Sequence, residues 1–238
     1  MTVGSWLPAR IEAVEPSTPT ARVLRLNAPG WPGNLPGQHL DLRLTAEDGY
    51  QAVRSYSIAS YGPGEQIELG VDEVPDGEVS PYLVSDAAPG DALEVKGPLG
   101  AYFVWHEDAP GPVQLIAGGS GIVPLVAMAR ARAQSASAAP FRLLYSVRRP
   151  EDAMYRDEID GFGANVDVTW AYTREAPSGW SGTVGRVTSA VLASSTWAPE
   201  VMPAVFVCGP TGFVEAVATA LVGLGHDPAR VRTERFGG

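Results

Sequence analysis

Apolar and polar residues alternate in short runs from residue 10 to about residue 105. Ala21-Arg22-Val23-Leu24-Arg25-Leu26, His39-Leu40-Asp41-Leu42-Arg43-Leu44, Gln66-Ile67-Glu68-Leu69-Gly70-Val71 and Ala92-Leu93-Glu94-Val95-Lys96 carry a period of two. That period marks strands with one buried face. Turn dipeptides separate the runs: Pro29-Gly30, Asp48-Gly49, Pro63-Gly64, Asp76-Gly77 and Pro89-Gly90. An antiparallel barrel is the simplest closure for so many short strands.

The pattern changes after Glu107-Asp108-Ala109-Pro110-Gly111-Pro112, which reads as a linker. Strand-like segments at 113–117, 141–147, 166–172, 204–208 and 230–236 now alternate with helix-like ones at 123–133, 153–161, 188–193 and 212–223. Alternation of this kind implies βαβ units and a parallel sheet. The prediction is a two-domain chain: an N-terminal antiparallel β-barrel over 1–108, then an α/β parallel-sheet domain over 109–238. The Ala/Ser-rich stretch 133–139 reads as a helix end and a loop, and there is no internal repeat.

Composition narrows the function. The 238 residues are 45% hydrophobic, enough for substantial cores. No apolar run approaches the ~20 residues that span a bilayer, and Met1-Thr2-Val3-Gly4-Ser5-Trp6 lacks the basic start of a signal peptide, so a cytoplasmic location is expected. The net charge of −10, from 17 Lys+Arg against 27 Asp+Glu, has the wrong sign for nucleic acid or an anionic membrane. Cys208 is the only cysteine, which excludes an internal disulfide and an iron–sulfur cluster held by four thiolates of this chain. His39, His106 and His226 are scattered without metal-ligand spacing, so no metal site is expected. The six tryptophans form no helical stripe and read as packing residues.

Several segments carry candidate chemistry. In Arg54-Ser55-Tyr56-Ser57 the arginine and tyrosine project to one face of a strand and the serines to the other. A guanidinium suits a phosphate and a phenol can lie against a conjugated ring; a surface strand whose arginine meets a carboxylate is the plain alternative. Asp76-Gly77-Glu78-Val79-Ser80-Pro81 puts a turn before a helix, with Ser80 as N-cap and Pro81 at the first helical position. Such an N-terminus suits a pyrophosphate, although a capped helix needs no ligand. Gly118, Gly119 and Gly121 lie between a strand and a helix beginning near Val123 or Pro124, where glycine lets the backbone approach a phosphate. The spacing is not Gly-x-Gly-x-x-Gly, and a tight strand–helix turn accounts for it equally well. Tyr145-Ser146-Val147-Arg148-Arg149 ends the next strand, where arginine would accept a ribose 2′-phosphate, unless Arg148 and Arg149 are solvated or pair with Glu151 and Asp152. Cys208-Gly209-Pro210 follows a buried strand with no evident base beside the thiol, which would leave it inert.

Pro36-Gly37-Gln38, Arg54-x-Tyr56-Ser57, Gly77-x-Val79-Ser80, Gly97-Pro98-x-Gly100, Gly118-Gly119-x-Gly121-Ile122-x-Pro124 and Cys208-Gly209-Pro210 follow one another along the chain. In this order they resemble the ferredoxin–NADP reductase superfamily, more closely its stand-alone bacterial oxidoreductases and the flavin modules of oxygenase reductases. The resemblance covers nearly the whole chain. It implies that Arg54 contacts a flavin phosphate, Tyr56 packs on the isoalloxazine or ribityl, and Ser57 sits near the flavin N5 edge. It further implies that Gly77, Val79 and Ser80 cradle a pyrophosphate, hence FAD, with FMN as the alternative.

In the second domain the same resemblance assigns nucleotide binding to Gly118, Gly119, Gly121 and Pro124. Ser146 and Arg148 resemble the phosphate-binding pair of NADPH-using relatives, and Tyr155 would stack on adenine, so NADPH is expected over NADH. Cys208, Gly209 and Pro210 would lie at the nicotinamide, with Cys208 steering its C4. Glu234-Arg235-Phe236 resembles the family's acidic-plus-aromatic ending, with Phe236 covering the flavin until nicotinamide arrives; a free tail is the alternative. Ser57, Cys208 and Glu234 form the implied catalytic set. The implied activity passes electrons from NADPH or NADH through FAD to a separate ferredoxin, iron–sulfur protein or oxygenase component. Reduction of free flavin or quinone without a protein acceptor, and a non-catalytic flavin-binding module, are the alternatives.

Overall fold

Strands β1 (Leu7–Thr18), β2 (Ala21–Asn27), β3 (His39–Thr45), β4 (Gln51–Ser57), β5 (Gln66–Asp72) and β6 (Ala92–Leu99) form one antiparallel sheet in the order β4-β3-β6-β1-β2-β5. The computed structural model describes residues 5–182 and 184–236. β1 is long enough to pair with β6 through residues 7–10 and with β2 through residues 10–18. The outer strands meet where Ile58 bridges Leu69 and the Ala59 amide donates to the Glu68 carbonyl at 2.7 Å, which curls the sheet into the expected barrel. Its interior holds the apolar half of the alternating pattern: Leu24, Leu26, Leu40, Leu42, Ile67 and Leu69 are fully buried. Burial stabilises each by roughly 1.5–3 kcal/mol.

Helix α1 (Ser80–Ser85) sets Leu83 and Val84 against that interior. It departs from the predicted cap. Val79 is the N-cap, without a capping side chain, and Ser80 is the first helical residue. The Ser80 hydroxyl accepts instead from the Val74 amide at 3.0 Å, so it closes the preceding turn rather than capping the helix.

The second unit alternates as predicted: β7 (Val113–Gly118), α2 (Ile122–Gln134), β8 (Phe141–Val147), α3 (Arg156–Asp160), β9 (Val166–Tyr172), α4 (Ser189–Ser195), β10 (Ala204–Pro210), α5 (Thr211–Gly223) and β11 (Val231–Phe236). Its five strands are parallel, in the order β11-β10-β7-β8-β9. Every residue of β7 is buried, as a central parallel strand covered on both faces must be. A short 3-10 turn over Gly119–Gly121 precedes α2, which therefore opens at Ile122 rather than at Val123 or Pro124. The Glu234-Arg235-Phe236 segment belongs to β11, so through Phe236 it is an ordered edge strand and not a free tail. The two compact units are Met1–Val104 and Trp105–Gly238. No described helix is long and apolar enough to cross a membrane.

Candidate functional site

In the barrel unit, the register of β4 on β3 sets Arg54 opposite Leu42, Ser55 opposite Asp41, Tyr56 opposite Leu40 and Ser57 opposite His39. Paired residues share a face, so Arg54 and Tyr56 project together, as their spacing requires. Tyr56 packs against the barrel core. Burial pushes its phenol well above the ordinary value, against the smaller opposing effect of Arg54, and the ring is a neutral surface. Ser55 on the other face donates to Asp41 at 2.7 Å.

Arg54 reaches across to the turn before α1. Its guanidinium donates to Glu78 at 2.6 Å and to the Val53 carbonyl at 2.7 Å. That turn is held by Asp76 at a φ of 63° and by Gly77, where a Cβ would lie 2.9 Å from the Val74 carbonyl oxygen. Val79 is fully buried. Arg54, Gly77, Val79 and Ser80 are therefore drawn to one region of the unit. Among the described residues nothing accepts from the amides of Glu78 and Val79. A cation beside the exposed, unpaired Glu78 N–H is a donor set that fits a phosphate.

The sequence reading gave Pro36-Gly37-Gln38 no role. Gln38 ties three segments together: its Oε1 accepts from the Leu35 amide at 2.8 Å, its Nε2 donates to the Gly100 carbonyl at 2.7 Å, and its own carbonyl accepts from the Ile58 amide at 3.0 Å. It thereby fixes the end of β4, one residue after Ser57, to the loop at Gly100. A cavity of about 840 Å³ also opens on this unit, lined in part by Arg10, Leu93 and the Arg43–Glu94 ion pair, and holds none of the candidate residues.

In the α/β unit, strand order reverses between β7 and β10, and a parallel sheet takes ligands at the carboxyl ends of its strands at such a point. The candidate residues gather there. Cys208 lies in register between Ala117 and Glu234, Gly118 beside Ser146, and Pro210 beside Phe236. The glycines are set by close approach. A Cβ on Gly121 would sit 2.2 Å from the Cys208 carbonyl oxygen, and one on Gly118 would meet the Phe213 ring at 2.7 Å. Gly119 differs, with a φ of +55° and nothing within 4 Å of where a Cβ would be. The loops after β7 and β10 are thus locked together with one open backbone position. Pro124 is buried in the first turn of α2, where its missing N–H costs no helical bond.

The Cys208 thiol is fully buried. Burial first, and then the charge of Glu234, push it well above its usual value, with the Gly209 amide opposing. It is a neutral thiol rather than a nucleophile.

Arg148 stands exposed just past β8 and makes no ion pair among the described residues, whereas Arg149 pairs with Glu151 at 3.5 Å and Glu175 at 3.9 Å. The Arg148 carbonyl accepts from the amides of Arg174 at 3.0 Å and Glu175 at 3.1 Å. This brings a second arginine, unremarked in the sequence, alongside the first; continuation of the β8–β9 pairing is the signal that would have found it. Ser146 is buried. Tyr155 adopts a φ of 57° at the start of α3 and lies 5.3 Å from the Arg130 guanidinium, itself bonded to Glu158 at 2.6 and 2.7 Å.

The barrel segment 10–104 matches the oxidoreductase FAD-binding domain, and 115–219 matches the oxidoreductase NAD-binding domain. These matches define a two-domain flavin- and nicotinamide-binding oxidoreductase. Ferredoxin–NADP reductase B of Sorangium cellulosum is 34% identical over 241 residues, covering 96% of each chain. The chain belongs to the ferredoxin–NADP reductase family. It is also 29% identical to the toluate 1,2-dioxygenase electron transfer component of Pseudomonas putida over 203 residues, 85% of this chain, and spans 58% of that relative's length. Among solved structures, the ferredoxin reductase in carbazole 1,9a-dioxygenase superposes with a TM-score of 0.84 at 29% identity, over 98% of this chain and 70% of that one.

Proposed function

We propose that this chain oxidises NADPH, or NADH, through FAD and passes the electrons to a separate protein acceptor, a ferredoxin, iron–sulfur protein or oxygenase component. The observation that carries the reading is the gathering of Arg54, Gly77, Val79 and Ser80 in the unit that matches an FAD-binding domain. When bound, FAD supplies the exchange between two-electron and one-electron chemistry. Arg54 and the Glu78 amide bind its phosphates in the turn shaped by Gly77, Val79 and Ser80, Tyr56 backs its ring system, and Ser57 hydrogen-bonds its N5 edge. In the α/β unit Gly118, Gly119, Gly121 and Pro124 form the nucleotide's phosphate loop. Arg148, with Arg174 beside it and Ser146 at the strand end, favours a 2′-phosphate, and Tyr155 stacks on adenine. Cys208, Gly209 and Pro210 shape the nicotinamide pocket, and Glu234 sets its charge.

The names of the Sorangium and Pseudomonas relatives support a separate acceptor. Reduction of an added ferredoxin under anaerobic conditions tests the reading: it should require both NADPH and FAD, and should run several-fold slower with NADH. Fast turnover with free flavin or quinone and no gain from any ferredoxin or oxygenase component would replace the protein acceptor with a small one.

A further inference from the structure

Glu78 occupies the unspecified position of Gly77-x-Val79-Ser80, yet both its carboxylate oxygens are engaged. Oε2 accepts from Arg54 at 2.6 Å and Oε1 accepts from the Tyr50 hydroxyl at 2.8 Å. Tyr50 begins at the foot of β4, before Gln51, so strand and turn are joined through this one side chain. The Tyr50 hydrogen bond first, and then that from Arg54, hold the Glu78 carboxyl below the ordinary carboxylate range, and it is charged at neutral pH. The pair is open to solvent, with side-chain exposures of 51% for Arg54 and 48% for Glu78. Exposed pairs of this kind are weak and readily exchanged.

A phosphate approaching Arg54 competes for the guanidinium nitrogen that Glu78 already engages. We propose that Glu78 is a built-in competitor for flavin phosphate at Arg54, a carboxylate clasp that must open for FAD to seat. The inference rests on the reading that Arg54 is a flavin phosphate ligand. The clasp lowers flavin affinity in two ways: it engages one of the Arg54 donors, and it leaves a negative charge beside an anion.

The test is an equilibrium titration of the flavin-free full-length protein with FAD, followed by the change in flavin fluorescence. It compares the wild type, Glu78→Gln, Glu78→Ala, Arg54→Gln and the Glu78→Gln/Arg54→Gln double variant, each with its thermal unfolding midpoint. Both Glu78 substitutions should lower Kd about threefold or more, in line with loss of an exposed competing charge. Arg54→Gln should raise Kd, and the gain from Glu78→Gln should shrink in its background, to the part that charge repulsion alone supplies. Two substitutions at a solvent-exposed position guard against one variant that fails to fold. An unchanged or higher Kd in folded Glu78→Gln and Glu78→Ala overturns the clasp while leaving the flavin reading intact, provided Arg54→Gln still weakens binding. FAD binding that is insensitive to Arg54→Gln overturns the assignment of Arg54, and the clasp with it.

Discussion

A single methyl group at position 121 has nowhere to go. The Cβ of Gly121→Ala would fall 2.2 Å from the Cys208 carbonyl oxygen, a contact that only backbone movement relieves. The substitution should cost about 3 kcal/mol or more in unfolding free energy, measured by denaturant titration, whereas Gly119→Ala, which meets open space, should cost only its backbone strain. Sequence could not separate the two, because both glycines fit phosphate approach; the partner of Gly121 lies 87 positions away at Cys208. At Cys208 itself the environment is set by burial and by Glu234 across the β10–β11 pair. The native protein at pH 8 should label with iodoacetamide at least tenfold more slowly than the denatured chain. Comparable rates would contradict a buried neutral thiol. The relation of Arg54 to Tyr56, by contrast, was legible from strand period alone, while the Glu78 contact was not, since it joins β4 to a turn more than twenty residues away.

At the scale of elements, periodicity located nearly every strand and helix, because burial of one face sets the apolar spacing. Ends were harder. Ser80 had the sequence of an N-cap, but the Val74 amide competes for its hydroxyl. The predicted 153–161 helix contracts to Arg156–Asp160 because Tyr155 takes a left-handed conformation. The end of α5 supplies a pH test. His226, just beyond this helix, is 4% exposed. Burial lowers its imidazole from an ordinary value of 6.5, partly offset by Glu200. A lowered folded-state value means the unfolded chain binds the proton more readily, so stability is in place above pH 6.5 and is lost as pH falls through the folded value. The unfolding midpoint should therefore drop from pH 7 to pH 5, and His226→Gln should flatten that decline. A variant as acid-sensitive as the wild type would show that other groups govern the loss. On the central strand, Leu115→Ala removes a fully buried side chain and should cost about 2–5 kcal/mol by the same denaturant measurement.

For the whole molecule, the class of each half was readable but the strand order was not. The order β11-β10-β7-β8-β9 depends on pairing between segments far apart in sequence, and so does the bridge from Ile58 to Leu69 that closes the barrel. That order is what draws two modest glycine motifs into one candidate site: it sets the ends of β7 and β10 side by side at the reversal of the sheet. The barrel does the same for Arg54 and the 77–80 turn. The proposed function requires that one chain carry electrons from a reduced nicotinamide to a flavin. Its most direct test is the visible spectrum of the FAD-reconstituted protein under anaerobic addition of NADPH. The oxidised flavin band should bleach within seconds at one equivalent of NADPH; an oxidised spectrum that persists with both NADPH and NADH would contradict it.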